Sequence, residues 1–440
     1  MARYGALASA VTTCGLVVTN PKQWQLTMHH RVRYLSNDRL IDSGERAAVD
    51  LPYGMYDADN HLYETQDAFT RHLPANRRRD VYWVTDERNH KHIMMGGHVW
   101  DYVPNPTFNP VSVAGALTDM FSGEKSKADI ITDGYRVVEP LDLHPDYQQR
   151  EARLRRLDEQ RIDACILFPT LASGVEERVR EDIPLLYDIL WAFNRWFADD
   201  WTFNADNRMF GAPIMSLADV DEAVKMLRWL LEQGVRALDV RSAPVLTAAG
   251  FRSPADPQFD PFWALCEEAG VLVGVHAGPT SYTKYTGDWS GQYDYRAFEK
   301  TAFEHVALHG RAVSDFFTAM CCHGALTRHP NLKVVSVENG ADWIPGLMEK
   351  FKIYYHRYPG SFPEDPVEAF QRCVWVSPFW EDPIAEVARH IPVERILAGS
   401  DFPHAEGLSE PTDFVKGLDD FNDADTRKIM RENLKDLLGV

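Results

Sequence analysis

The sequence predicts an α/β protein whose main domain is a (β/α)8 TIM barrel with insertions after strands 1 and 5. Three observations carry that prediction. Eight short apolar runs recur from about Tyr53 to the C-terminus, helix-like segments separate them, and most runs are continuous in Val, Ile and Leu. Continuous runs, as opposed to clean alternation, mark strands covered on both faces. Eight such strands alternating with helices suit a barrel better than a doubly wound sheet.

Taken in order, the first strand lies in "GMYDA" and the second in "DACILFPT" (Asp163–Thr170). "MFGAPIMSL" (Met209–Leu217), "VRALDVR" (Val235–Arg241) and "VLVGVHAG" (Val271–Gly278) supply the next three. "LKVVSVENG" (Leu332–Gly340), "CVWVSP" (Cys373–Pro378) and "RILAGSD" (Arg395–Asp401) complete the set. Between them, "DYQQREARLRRLDEQR" reads as the helix before the second strand. "DVDEAVKMLRWLLEQG" runs from an acidic start to a glycine stop at Gly234, and "DPQFDPFWALCEEAG" stops likewise at Gly270. The closing "DADTRKIMRENLKDLLGV" is an amphipathic helix. Residues 65–145 and 278–311 are the two insertions. The first contains "VYWVTDERNHKHIMMGG", two apolar runs around a polar turn, which predicts a hairpin. Loops that follow barrel strands rise over the face where active sites form, so both insertions are expected to cover the pocket.

Composition bounds the function. The chain has 440 residues, 45% hydrophobic and 25% charged, enough for a sizeable core. A net charge of −19 argues against a nucleic-acid surface, which needs clustered Lys and Arg. The six cysteines form no CxxC pair, and several sit in apolar runs, so a reducing, cytoplasmic setting is expected. Residues 1–52 read as an N-terminal extension without identifiable chemistry. The run "MARYGALASAVTTCGLVV" lacks a clean A-x-A-like cleavage site, and "NPKQWQLTMHHRVRYL" is too polar for a membrane span. The expected partner is a small-molecule substrate; nucleic acid and membrane are not expected, and a homodimer is possible without any interface signature.

The chemistry gathers at strand ends. The first strand runs into "DADNHLYE", bringing Asp57, Asp59, His61 and Glu64; the fifth ends in His276 and the sixth in Glu338. The eighth ends in Asp401, with His404 following across Pro403. In a parallel barrel these ends share one rim, so residues more than three hundred apart converge. Imidazoles and carboxylates together suit a divalent transition metal, which also supplies the counter-charge that several buried carboxylates need. Each residue has a plainer reading. Asp59 is either a ligand or a hydrogen-bonding brace, Glu338 either a ligand or a partner that orients a ligating histidine, and His404 either functional or stacked on Phe402. Asp57 reads as a structural acceptor. Arg241 offers a bidentate fork for a substrate carboxylate, with a structural salt bridge as its alternative. His305 and His309 sit in the second insertion, where they could meet substrate.

The stretches "YDADNHLYE", "GVHAGP", "HPNLKVVSVENGADWIP" and "ILAGSDFPHAEG" resemble the amidohydrolase superfamily, in the amidohydrolase-related branch that includes aminocarboxymuconate-semialdehyde decarboxylase. The resemblance runs from about Tyr53 to the C-terminus. It implies a distorted (β/α)8 barrel, metal ligands at His61, His276 and Asp401, and a proton-handling role for Asp401. The chain departs from the usual first-strand His-x-His, having Asp59-x-His61 followed by Glu64, and carries Glu338 where the sixth strand usually ends in His. This set is more oxygen-rich than a typical zinc hydrolase site and points toward Mn or Fe, or toward two metals; the expected cofactor is a divalent Zn, Mn or Fe, one or two ions per chain. The implied activity is a metal-dependent hydrolase or decarboxylase acting on a small carboxylate-bearing molecule, with Asp401 and His404 catalytic. The alternative is a non-haem di-iron monooxygenase that divides His61, Glu64, His276, Glu338, Asp401 and His404 between two ions.

Overall fold

The structure, a computed structural model, describes residues 51–118, 138–293 and 300–440. The expected N-terminal extension thus lies outside the described residues except for Leu51 and Pro52, and each insertion is described in part.

The parallel strands are β1 (Met55–Leu62), β2 (Ile162–Pro169), β3 (Met209–Gly211), β4 (Ile214–Met215), β5 (Ala237–Arg241), β6 (Leu272–His276), β7 (Lys333–Val337) and β8 (Val374–Val376). They form two sheets, ordered β1-β2-β3 and β8-β7-β6-β5-β4, and not one closed ladder. Two expected strands account for the difference. The run from Met209 breaks in two at Ala212-Pro213: the Ala212 amide bonds to Leu167 of β2, whereas the Pro213 carbonyl accepts from Asp239 of β5. One run therefore serves both sheets, and proline, lacking an N–H, ends its first ladder. The eighth run makes only single bridges, Ile396 to Val376 on one side and Phe402 to Asn60 on the other. Its Leu397 amide reaches Val376, its Ala398 carbonyl accepts from Ala58, and its Asp401 amide reaches Asp59. Asp401 at φ 55 interrupts the extended backbone that a regular ladder requires.

Alternate residues of a strand belong to two different cores. Ala164, Ile166 and Phe168 of β2 pack with Tyr56, Ala58, Leu272, Val335 and Val337 inside the strands, while Cys165 and Leu167 face the helices. Both faces are dry, which is why the sequence runs are continuous. Outside lie helices α1 (Arg150–Glu159), α2 (Ile183–Asp200), α3 (Val220–Glu232), α4 (Asp260–Ala269), α5 (Arg311–Cys322) and α6 (Trp343–Arg357). Asp219 caps α3 by accepting from the Asp221 and Glu222 amides, and Gly270 ends α4 in the left-handed region at φ 65.

Between β1 and α1, Val81–Thr85, Lys91–Met95 and His98–Trp100 form an antiparallel three-stranded sheet. After β6, the segment contains short helices Thr283–Ser290 and Ala302–Leu308. No helix among the described residues is long and apolar enough to cross a membrane.

Candidate metal centre

The first strand reaches the centre through an irregularity. In the β1–β2 register Asp57 faces Cys165 and Asn60 faces Leu167, so three steps of β1 span two of β2. Such a bulge reverses the facing of everything beyond it. Cys165 and Leu167 belong to the outer core, so Asp57 and Asn60 share that side, and the extra residue leaves His61 opposite Phe168 of the inner core. Asp57 is a brace: it accepts from the Asp59 and Ser400 amides at 3.1 and 2.9 Å, from Asn60 Nδ2 at 3.1 Å and from Ser400 Oγ at 2.6 Å. It thereby locks the eighth run to β1, although burial pushes its carboxyl up to about 6.

Around His61 Nε2 lie Asp59 Oδ1 at 3.3 Å, Asp401 Oδ1 at 3.4 Å, Glu338 Oε2 at 3.6 Å and His276 Nε2 at 3.1 Å. His276 Nε2 is 3.1 Å from Glu338 and 3.5 Å from Asp59. Two overlapping sets, Asp59–His61–His276–Glu338 and His61–Glu338–Asp401–His404, each keep their donor atoms within 4.8 Å of one another. Ligands at metal bonds of 2.0–2.2 Å stand roughly 3.0–3.6 Å apart, which is the spacing seen here. Hydrogen bonding does not account for the cluster. Asp59 Oδ1, Asp401 Oδ1 and His404 Nδ1 are buried without an aligned partner, even though His404 Nδ1 comes within 2.6 Å of Asp401 Oδ1. His276 Nδ1 donates to the Ala277 carbonyl at 2.9 Å, which leaves Nε2 turned toward the carboxylates. The residues present fit a divalent ion.

The charges agree. Burial opposes ionisation of Asp59, but the imidazoles of His276 and His61 outweigh it and hold that carboxyl below its ordinary range. Burial, with Glu338 and Asp59 nearby, drives Asp401 well above its ordinary range. His276 rises to about 10 against its burial because Glu338 and Asp59 surround it, while burial and His61 push His404 far down. These carboxylates cannot all ionise together without added positive charge. Glu338 and Asp401 also share left-handed backbone, φ 54 and 55, a conformation unusual outside glycine and common where strand ends are bent toward a site.

Not every expected residue joins. Glu64 lies outside both sets: its Oε1 accepts from the Leu171 and Ala172 amides at 2.8 and 3.0 Å, so it braces the loop after β2, and burial raises it to about 7. Arg241 has no free fork, because Nη1 bonds Glu177 at 2.7 Å and Nη2 bonds Ser281 at 3.1 Å. Its structural alternative is the one seen, since a guanidinium this buried needs a carboxylate of its own. His309 pairs with Asp342 at 3.1 Å, and His305 is exposed on its short helix. The His404 ring lies against His61, 4.0 Å between centroids and tilted by 31°, and its Nε2 meets the Thr170 hydroxyl at 3.1 Å.

Sequence reasoning passed over three carboxylates: half-buried Glu406, raised by desolvation to about 7 with Glu338 close by; buried Asp239, raised by burial to about 6; and buried Glu176. Glu406 stood in view, two residues past His404. Asp239 carried a signal too, a carboxylate in the middle of the apolar run "RALDVR".

The chain matches the amidohydrolase family over residues 56–440. Among solved structures, an amidohydrolase from Mycobacterium avium subsp. paratuberculosis K-10 is 41% identical, with 89% of this chain and 100% of that chain covered and a TM-score of 0.83. A dihydroxybenzoic acid decarboxylase from Polaromonas sp. JS666, with bound manganese and the inhibitor 2-nitroresorcinol, is 16% identical over 88% of this chain and 97% of that one, TM-score 0.51. A 5-carboxyvanillate decarboxylase from Novosphingobium aromaticivorans DSM 12444, complexed with manganese, is 12% identical over 88% and 97%, TM-score 0.51. At those identities the last two speak to the fold. No curated protein matches the sequence. With this rim of imidazoles and carboxylates and a family match that spans nearly the whole described chain, the protein belongs to the amidohydrolase family, in its amidohydrolase 2 branch.

Proposed function

We propose that this chain is a metal-dependent decarboxylase of a small aromatic acid, using one divalent ion of the manganese type. The observation that carries the proposal is the convergence of Asp59, His61, His276, Glu338 and Asp401 on one point, with buried carboxylate oxygens that no hydrogen-bond donor satisfies. The fold shared with manganese-containing decarboxylases favours decarboxylation over hydrolysis. Asp59, His61, His276 and Asp401 would hold the ion, with Glu338 beside them; when bound, it would polarise the oxygens of the substrate.

The chain's own groups manage the proton. When the C–C bond to the carboxylate breaks, CO2 leaves and the electron pair stays on carbon, which then needs a proton. Asp401 Oδ1 and His404 Nδ1 come within 2.6 Å without an aligned hydrogen bond, so a small turn of the imidazole would let the two pass that proton to the carbon, and Thr170 Oγ1 holds the imidazole from its other nitrogen. Water returns the proton to the pair. The same reading takes residues 53–440 as a distorted (β/α)8 barrel domain whose insertions after strands 1 and 5 wall the mouth, in a cytoplasmic protein that could form a homodimer.

Glu64 bears on the oxygenase alternative. A second ion would need ligands of its own, and Glu64 is tied to two amides while the remaining candidates crowd around His61. One ion is favoured.

The test is elemental analysis of purified, unchelated protein, followed by CO2 release from a panel of hydroxybenzoates. About one Mn or Zn per chain with CO2 release supports the proposal. Ester or amide hydrolysis without CO2 would replace it with the hydrolase reading. About two ions including Fe, with oxygen uptake after reduction, would establish the oxygenase.

A further inference from the structure

Next to His276 a narrow cavity is lined by Ser173, Glu176, Asp239 and Arg241. Glu176 comes from the short helix Val175–Val179 after β2, and Asp239 from β5. They are 8% and 4% exposed, so both carboxylates are more than nine-tenths buried. No side chain among the described residues donates a hydrogen bond to either. The nearest cationic atom to Glu176 is Arg241 Nε, 3.9 Å from Oε1 and beyond hydrogen-bond reach. The terminal nitrogens of Arg241 are already directed at Glu177 and Ser281. Burial outweighs what favours the charge of Asp239, which is the nearby imidazoles of His276 and His61 and the His276 backbone amide; no side chain among the described residues hydrogen-bonds it.

Two buried carboxylates facing one cavity without a side-chain donor are costly unless something positive and donor-rich enters between them. A compact cation meets that need, and neither a second carboxylate nor an apolar group does. Because His276 lines the same cavity, a ligand at the metal cluster can extend one of its own groups into this arm.

We propose that Glu176 and Asp239 form a subsite for an ammonium group, and that the substrate is a carboxylic acid that also carries a protonated amine. The placement of its carboxyl end rests on the decarboxylase reading; the subsite does not.

The test is calorimetric binding of three matched probes to the manganese-loaded full chain: 3-(aminomethyl)benzoate, 3-(hydroxymethyl)benzoate and isophthalate, which place a cation, a neutral donor or an anion at the same position. The aminomethyl probe is expected to bind about tenfold tighter than the hydroxymethyl one, with isophthalate weakest. Asp239→Asn and Glu176→Gln should each shrink that preference to about twofold while metal content stays unchanged. Tightest binding of isophthalate, weakened by Arg241→Lys, would overturn the proposal and restore Arg241 as a carboxylate fork. Equal binding of all three would also overturn it and leave the arm to water. A preference erased by low concentrations of potassium or ammonium chloride would assign the arm to a free inorganic cation, overturning the substrate ammonium. Since binding is read apart from turnover, an absence of CO2 release would count against the decarboxylase and not against the subsite.

Discussion

Two charged clusters sit near the mouth of this protein, and they are built on opposite terms. Around Arg241, Glu177, Ser281 and Arg180, polar groups meet one another: Arg241 and Arg180 both bond Glu177, and Ser281 Oγ both donates to Glu177 and accepts from the arginines. Around His61, the same kinds of groups crowd together without satisfying each other. The first cluster is satisfied as folded except at Arg241 Nε, and it holds the loop after β2 to the loop after β6. The second leaves Asp59 Oδ1, Asp401 Oδ1 and His404 Nδ1 without partners, as the proposed metal site requires. Both clusters bring charged side chains together; what separates them is the count of unsatisfied atoms, one at Arg241 against Asp59 Oδ1, His61 Nδ1, Asp401 Oδ1 and His404 Nδ1 in the other.

Substitutions can break that contrast. The largest effect is expected at the unsatisfied cluster: His276→Ala and Asp401→Asn should abolish bound metal and activity while the far-UV circular dichroism stays native, and full activity in either would sink the metal centre. At the satisfied cluster the expectation is inverted. Arg241→Gln removes one of the two arginines on half-buried Glu177, leaves Arg180 and Ser281 in place, and should cost about 2 kcal/mol in denaturant unfolding, with metal content unchanged. If Arg241→Gln loses metal and keeps its stability, the two clusters have been told apart wrongly.

Smaller effects sharpen the picture. Ser400→Ala removes the hydroxyl that clasps Asp57 across the seam between β1 and the eighth run, so Asp59 and Asp401 are held less firmly. Metal affinity, measured by competition with a chelator, should fall about tenfold to a hundredfold. The least effect concerns Asp382, which accepts from the Ala341 amide on the loop beyond β7 and the Phe379 amide on the loop beyond β8. Burial raises its carboxyl from 3.8 to about 7. Over that window the folded state keeps a proton that the unfolded chain has released, so this group's contribution to stability is lost as pH rises from 3.8 to about 7. Asp382→Asn should flatten the fall of the thermal midpoint across that range; an unchanged slope would show that Asp382 is ionised in the fold.

Much of the site was legible along the chain because a strand end is a local fact. His276 after "VLVGV" and Asp401 after "ILAGS" end apolar runs with groups that need partners, and both reach the centre. Glu64 and Arg241 fared differently for a reason the chain does not contain. Their partners, the Leu171 and Ala172 amides and the Glu177 carboxylate, lie 64 to 108 residues away, and only folding decides whether a polar group finds them before a ligand does. Asp239 and Glu176 escaped because one looks like a strand interruption and the other like a solvated helix residue until the cavity between them is seen.

The sequence by itself determined the alternation of strands and helices, since dry packing on two faces demands continuous apolar runs. It also determined which strand ends carry imidazole and carboxylate. The tertiary structure decided the rest. A bulge in β1 turns His61 inward, a split at Ala212-Pro213 hands one run to two sheets, and the eighth run bridges its neighbours without forming a strand. These are matters of register between segments far apart in the chain, and register is set by the hydrogen bonds two segments make with each other, which neither encodes alone.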